Sequence, residues 1–223
     1  MDGKSGGGQK GMINIGPAAV TGLYAITPEA LRGAALIEAV GQVLAGGAAW
    51  LQYRAKAGAD VAEARALAAL CRRHAALFIV NDRPELALEV GADGVHLGRD
   101  DGSIAAARAL LGPDRIIGGS CYADLGRARR LAAEGADYLA FGSMFASPTK
   151  PEAVSCPLAV LREARGFGLP VVAIGGITLE NASLAIDAGA DLLAVISDLF
   201  DAPDRTARAA AYAALFNGAL EES

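Results

Sequence analysis

Histidine occurs only twice in the 223 residues, at positions 74 and 96, so chemistry built on a histidine acid or base has little to draw on. Cysteine occurs three times, as Cys71, Cys121 and Cys156, widely spaced and odd in number. There is no CxxC pair and no zinc-like spacing, which argues against a disulfide framework or a cysteine-built metal site. No apolar run approaches the ~18 residues that a membrane-crossing helix needs. An excess of cations is missing too: the formal net charge is −5, which argues against nucleic-acid binding through bulk positive potential. The start MDGKSGGGQKG lacks the apolar centre of a secretory signal. Residues 1–18 are therefore expected to be a flexible Gly-rich leader, and residues 19–223 one domain in a reduced, cytoplasmic setting.

What the chain does have is small and apolar. Hydrophobic residues make up 53% and aromatics only 5%, with Ala and Gly abundant, as in a packed α/β core. Eight short apolar runs punctuate the chain: LYAIT (23–27), WLQYR (50–54), LFIV (77–80), GVHL (94–97), RIIGGS (115–120), YLAFG (138–142), VVAIGG (171–176) and LLAVIS (192–197). Most lack polar/apolar alternation, so they read as parallel strands buried on both faces. Between them lie segments of helical period. Asp60 is expected to cap VAEARALAALCRRHA, whose Val61, Ala64, Leu67, Ala68 and Cys71 share a face. Ser103 and Asp124 are further candidate caps, and Thr178 precedes a helical LENASLAIDAG. An internal echo, GADGVHL, GADYLAFG and GADLLAVIS, falls on every second strand, with a weaker copy in GGAAWLQYR. Eight βα units with such a repeat predict a closed (β/α)8 barrel, with a doubly wound open sheet as the alternative.

In such a barrel the chemistry sits at the C-terminal strand ends. The second run ends Gln52-Tyr53-Arg54-Ala55-Lys56, and strand alternation would turn Gln52, Arg54 and Lys56 the same way. The third ends Asn81-Asp82-Arg83-Pro84 and the fourth Gly98-Arg99-Asp100-Asp101-Gly102. Asp82 and Asp100 or Asp101 read either as helix caps or as carboxylates on adjacent strands able to hold Mg²⁺. Ser120 ends the fifth run, placed to meet a ligand or to cap the next helix. The sixth leads into Ser147-Pro148-Thr149-Lys150-Pro151, where two prolines restrict two hydroxyls and an ammonium. Gly175 and Gly176 after the seventh run, and backbone N–H groups at Ile196 and Ser197 after the eighth, suit a phosphate. Two anion sites follow, one for a phosphate and one for a pyrophosphate, and together they suggest group transfer with pyrophosphate leaving.

This ordered set, QYRAK at 52–56, ND at 81–82, GVHLGRDD at 94–101, SPTK at 147–150 and IGGIT at 174–178, resembles the thiamine phosphate synthase family over 23–216. The resemblance implies a (β/α)8 barrel and a transferase. The family joins 4-amino-5-hydroxymethyl-2-methylpyrimidine diphosphate to a thiazole phosphate and releases pyrophosphate. It implies that Gln52, Arg54, Lys56, Asn81 and Lys150 meet the pyrimidine diphosphate and that Asp82 and Asp101 bind Mg²⁺. Ser120 would touch the pyrimidine, and Ser147, Thr149, Gly176, Ile196 and Ser197 would hold the thiazole phosphate. Lys56, Ser120 and Lys150 are the expected catalytic residues. The implied partners are these small molecules, with no nucleic acid and no membrane, and a homo-oligomer is compatible with it.

Three positions depart from the family pattern. Tyr122 stands where a histidine is expected, Ser147 where a threonine is expected, and Gly-Arg-Asp-Asp replaces Gly-Gln-Glu-Asp. None removes a metal ligand or a cation. His96, inside the fourth run, reads as a packed or hydrogen-bonded core histidine, and His74 as a surface residue. Three other readings compete: a thiazole tautomerase of the same fold, a non-catalytic thiazole phosphate-binding protein, and another phosphosugar barrel enzyme. Retention of the candidate metal carboxylates and the pyrophosphate cations favours the synthase.

Overall fold

The computed structural model describes residues 20–146 and 156–217; the expected leader, together with Ser147, Thr149 and Lys150, lies outside them. Eight parallel strands close into a barrel in chain order, with the last pairing back onto the first. They are β1 (Gly22–Ile26), β2 (Trp50–Tyr53), β3 (Leu77–Asn81), β4 (Gly94–Leu97), β5 (Ile116–Tyr122), β6 (Tyr138–Phe141), β7 (Val171–Ile174) and β8 (Leu192–Val195). The helices are α1 (Gly33–Ala45), α2 (Val61–Arg73), α3 (Pro84–Val90), α4 (Ile104–Leu111), α5 (Leu125–Glu134), α6 (Leu158–Ala164), α7 (Ala182–Asp187), α8 (Ser197–Phe200) and α9 (Arg205–Asn217). All eight apolar runs become strands, and closure excludes the open sheet.

Side-chain alternation along each strand divides the apolar residues into two cores. Leu23, Leu51, Phe78, Val95, Ile117, Leu139, Val171 and Leu193 face outward, against the helices. Tyr24, Trp50, Ile79, Ile116, Tyr138, Val172 and Leu192 face inward and fill the barrel. Aromatics occur in both cores, with Tyr53, Phe78, Phe141, Phe200 and Tyr212 in the outer one and Tyr24, Trp50 and Tyr138 in the inner one. Tyr24, Trp50 and Tyr138 meet edge to face, with centroids 5.4 to 6.1 Å apart. Glycine makes the room: a methyl group on Gly118 would lie 1.9 Å from a Tyr138 ring carbon.

The sequence echo has a mechanical meaning. Gly91 and Gly135 end α3 and α5 in the left-handed conformation, and Gly189 follows α7 at a φ of 104°. The aspartate two residues later then accepts from a backbone N–H of the preceding strand. Asp93 Oδ2 takes Phe78 N at 2.7 Å, Asp137 Oδ2 takes Ile117 N at 2.7 Å, and Asp191 Oδ2 takes Val171 N at 2.8 Å. Each carboxylate thus ties an odd strand to the even strand it precedes, which is why the repeat falls on every second strand. In the weaker copy Ala49 stands at the aspartate position; its backbone N–H bonds to Leu23 O, as the N–H groups of Asp93, Asp137 and Asp191 bond to Phe78 O, Ile117 O and Val171 O, but the carboxylate clamp is missing.

Asp60, Ser103 and Asp124 cap their helices through side-chain acceptors, as expected. The segment after Thr178 differs. Its first residues form a turn in which Thr178 N donates to Asn181 Oδ1, and α7 begins only at Ala182. His74 is exposed at the end of α2.

Candidate active site

The polar residues gather at the C-terminal ends of the strands. Immediately after β3, Asp82 adopts a left-handed φ of 64°, a conformation that Asp tolerates better than most residues. Its N–H donates to His96 O at 2.8 Å, and its carboxyl turns toward Asp101. Burial, then the hydrogen bond and charge of Asp101, push the Asp82 carboxyl up to about 6, against the opposing charge of Lys56 and a hydrogen bond with Asn81. Asp101 Oδ2 is fixed by Gly98 N at 3.0 Å, and a methyl on Gly98 would sit 2.4 Å from that oxygen. The cap readings for these aspartates therefore fail: α3 starts after Arg83 with no side-chain cap, and α4 is capped by Ser103.

Gln52, Arg54 and Lys56 do not point one way. β2 ends at Tyr53, so strand alternation reaches Gln52 but not the two cations beyond it. Gln52 faces inward, 3% exposed, and its Nε2 donates to the Tyr24 hydroxyl at 2.9 Å. Arg54 Nη1 pairs with Glu29 Oε1 at 3.3 Å, and Lys56 N donates to the same oxygen at 3.0 Å. The Lys56 ammonium acts instead on Asp82, through its charge. Glu29, which follows β1, was not singled out from the sequence. The rule that polar residues at strand ends matter would have found it.

Ser120 ends the inward row of β5 and does not cap α5, whose cap is Asp124. Its Oγ lies 2.8 Å from His96 Nε2, and His96 Nδ1 lies 2.9 Å from the Tyr138 hydroxyl. Tyr138 in turn lies 3.0 Å from the Tyr24 hydroxyl. His96 is the hydrogen-bonded core histidine expected, and burial lowers it to about 4, so it is neutral near pH 7. Arg127, also missed, clasps two strand ends: its Nε donates to Ser120 O at 2.7 Å and its Nη2 to Gly98 O at 3.1 Å. Nothing in the spacing of LGRARRLAAE separates Arg127 from its neighbours. Arg99 and Tyr122, two of the departures from the family pattern, stack on each other with the guanidinium 4.6 Å from the ring centre.

Opposite this group lie Gly176, Ile196 and Ser197. Gly175 and Gly176 have φ of 99° and 65°, and a methyl on Gly176 would lie 2.4 Å from Phe145 O. The glycines thus let the end of β7 close against 143–146, the segment leading toward Ser147 and Lys150. Ile196 and Ser197 open α8, and Asp198 anchors it to α9 through Arg208 Nη1 at 3.0 Å and the Tyr212 hydroxyl at 2.7 Å.

Among the described residues no group of three or more His, Cys, Asp or Glu is arranged to hold a metal. Asp82 and Asp101 are two hard oxygen donors brought within hydrogen-bond reach of each other. That donor set fits Mg²⁺, which keeps several waters and completes its shell with substrate phosphate.

The thiamine monophosphate synthase family model matches residues 23–199. A thiamine-phosphate synthase of Chromobacterium violaceum is 54% identical over 203 residues, covering 90% of this chain and 98% of its own. One from an Azoarcus strain is 55% identical over 201 residues, covering 88% and 98%. The solved structure of a thiamine phosphate pyrophosphorylase from Pyrococcus furiosus superposes with a TM-score of 0.81 at 37% identity, covering 91% of this chain and 98% of that one. A 3-hexulose-6-phosphate synthase, at 19% identity and a TM-score of 0.68, shares the fold alone. The chain belongs to the thiamine monophosphate synthase family, a family of transferases.

Proposed function

We propose that this chain condenses 4-amino-5-hydroxymethyl-2-methylpyrimidine diphosphate with 4-methyl-5-(2-phosphooxyethyl)thiazole, giving thiamine phosphate and pyrophosphate. The observation that carries the reading is the Asp82–Asp101 pair with Lys56 beside it, at the mouth of a barrel of this family. A protein that only bound a thiazole phosphate would have no use for crowded carboxylates beside a cation.

In this reading Asp82 and Asp101 would hold Mg²⁺, which would supply charge neutralisation for the pyrophosphate leaving group. Arg54 and Lys56 take the rest, as does Lys150, which lies outside the described residues, and Asn81 steadies the diphosphate. Arg54 exchanges Glu29 for substrate oxygens. Gln52 and Ser120 hold the aminopyrimidine, whose amino group stabilises the carbon cation left when the C–O bond breaks. The thiazole nitrogen then captures that carbon, aligned through its phosphate on Gly176, Ile196 and Ser197 and on Ser147 and Thr149 of the 147–150 loop. No side chain has to abstract a proton, which suits a chain whose inward histidine is buried and neutral. Three buried, free cysteines support a cytoplasmic setting.

The test is pyrophosphate release with both substrates, with and without Mg²⁺. Metal-dependent release that requires the thiazole phosphate and yields thiamine phosphate is the expected result. Binding of thiazole phosphate without release would overturn it.

A further inference from the structure

The hydrogen bonds inside the barrel form one unbroken chain between two residues of the mouth. It runs from Gln52 on β2 through Tyr24 on β1, Tyr138 on β6 and His96 on β4 to Ser120 on β5, in steps of 2.9, 3.0, 2.9 and 2.8 Å. Tyr24 and Tyr138 are almost wholly buried, and burial raises both phenols far above any physiological pH. Both ring nitrogens of His96 face hydroxyls, so the chain is built from groups that are uncharged in their ordinary forms and only the direction of the hydrogens remains to be set.

That direction follows from counting donors. The Gln52 amide presents its nitrogen to Tyr24, so Tyr24 accepts there and must give its own hydrogen to Tyr138. Tyr138 then gives its hydrogen to His96 Nδ1. A neutral imidazole that accepts at Nδ1 carries its proton on Nε2, and that proton goes to Ser120 Oγ. With the amide nitrogen on Tyr24, running the chain the other way leaves the Tyr24 hydrogen with no acceptor among the described residues, inside the barrel, where an unmade hydrogen bond is costly; only turning the Gln52 amide over would reverse the whole chain. At one end the Ser120 hydrogen is left over. At the other the Gln52 amide oxygen has no partner among the described residues, yet it is not sealed from solvent.

We propose that Tyr24, Tyr138 and His96 are positioning residues that fix hydrogen-bond polarity across the barrel, so that Ser120 offers a donor and Gln52 an acceptor to the ligand. An aminopyrimidine needs this pairing: its ring nitrogens accept and its exocyclic amine donates. The identity of that ligand rests on the function proposed above, whereas the polarity of the chain does not. A ligand with the donor and acceptor exchanged would meet a clash at both ends, so the relay selects among pyrimidines without touching them.

The experiment is ¹⁵N NMR of the intact protein labelled at histidine, with His74→Gln assigning the two rings. His96 is expected as the Nε2–H tautomer. The Nδ1–H tautomer would mean reversed polarity and would overturn the proposal, whether or not the protein turns over any substrate. Kinetics supply the second readout. Tyr138→Phe keeps the ring that packs on Trp50 but cuts the chain. It should raise KM for the pyrimidine diphosphate roughly tenfold, as expected for one misdirected hydrogen bond. KM for the thiazole phosphate should stay within about twofold, because in the proposed reading that substrate meets neither Ser120 nor Gln52, the two ends of the relay. Tyr24→Phe should repeat the pattern. Equal changes in both KM values, or none in either, would reduce the chain to packing and sink the proposal.

Discussion

Aspartates at the two ends of this barrel do opposite things. At the N-terminal end Asp93, Asp137 and Asp191 each accept a strand N–H, and Asp137 also accepts from Arg108. Those carboxylates hold neighbouring strands together. At the C-terminal end Asp82 and Asp101 face each other, and one of them is pushed up to about 6. The same side chain is a clamp where donors surround it and a source of strain where another carboxylate does. Strain of this kind persists where function requires it, and a bound divalent cation would relieve it.

Substitutions should separate the two ends cleanly. The largest effect belongs at the mouth: Lys56→Ala should lower turnover by roughly 10²–10³-fold, the usual result of removing one group that meets developing charge. Its thermal melting should stay close to that of the parent, and steady-state kinetics beside a melting curve would check both. Next is the clamp. Asp137→Ala leaves Ile117 N without its acceptor and removes the ion pair with Arg108, which keeps only backbone carbonyls; it should cost about 2–3 kcal/mol of stability, measured by denaturant unfolding. Activity per folded molecule should change little.

The third prediction inverts the usual sign. A folded-state value of about 6 for Asp82, above the ordinary 3.8, means that the fold favours the protonated carboxyl. That contribution is complete below about pH 4 and is lost as pH rises through 6. Asp82→Asn keeps a donor toward Asp101 and never ionises. Without metal it should therefore be the more stable protein above pH 6, by about 1 kcal/mol once solvent screening is allowed for. That corresponds to a melting shift of about 2–4 °C. Below pH 4 the two curves should coincide. His96 moves the other way, losing stability as pH falls from 6.5 toward 4, but it is common to both proteins and cancels. The smallest effect is at Glu29. Glu29→Gln keeps the acceptor for Lys56 N and removes two partly exposed ion pairs, with Arg54 and Arg32, so KM for the pyrimidine diphosphate should move within about threefold.

The fold was legible because strand burial and helix capping are local signals. Asp60, Ser103 and Asp124 act where the chain pattern placed them, and all eight apolar runs pair. The candidate site was legible where strand ends alone decide position, as for Gln52, Asp82 and Ser120. It was misread where geometry beyond the strand takes over: Arg54 and Lys56 leave β2 and part company. For Asp82 and Asp101 the chain pattern allowed either helix caps or paired carboxylates, and the structure decides for the pair, because capping is a local signal whereas the approach of two loops is not. The GAD echo was visible as a repeat, but its hydrogen bonds were not, since each joins a strand lying 15 or 20 residues back. The barrel relay was hidden for the same reason, with Tyr24 and Tyr138 separated by 114 positions.

The most direct test of the account sets one aspartate of each kind side by side. Pyrophosphate release by Asp82→Ala and Asp137→Ala would be measured at saturating Mg²⁺ and normalised to folded protein. The account predicts that Asp82→Ala is nearly inactive while Asp137→Ala keeps most of the parental rate. Comparable rates for the two variants would contradict it.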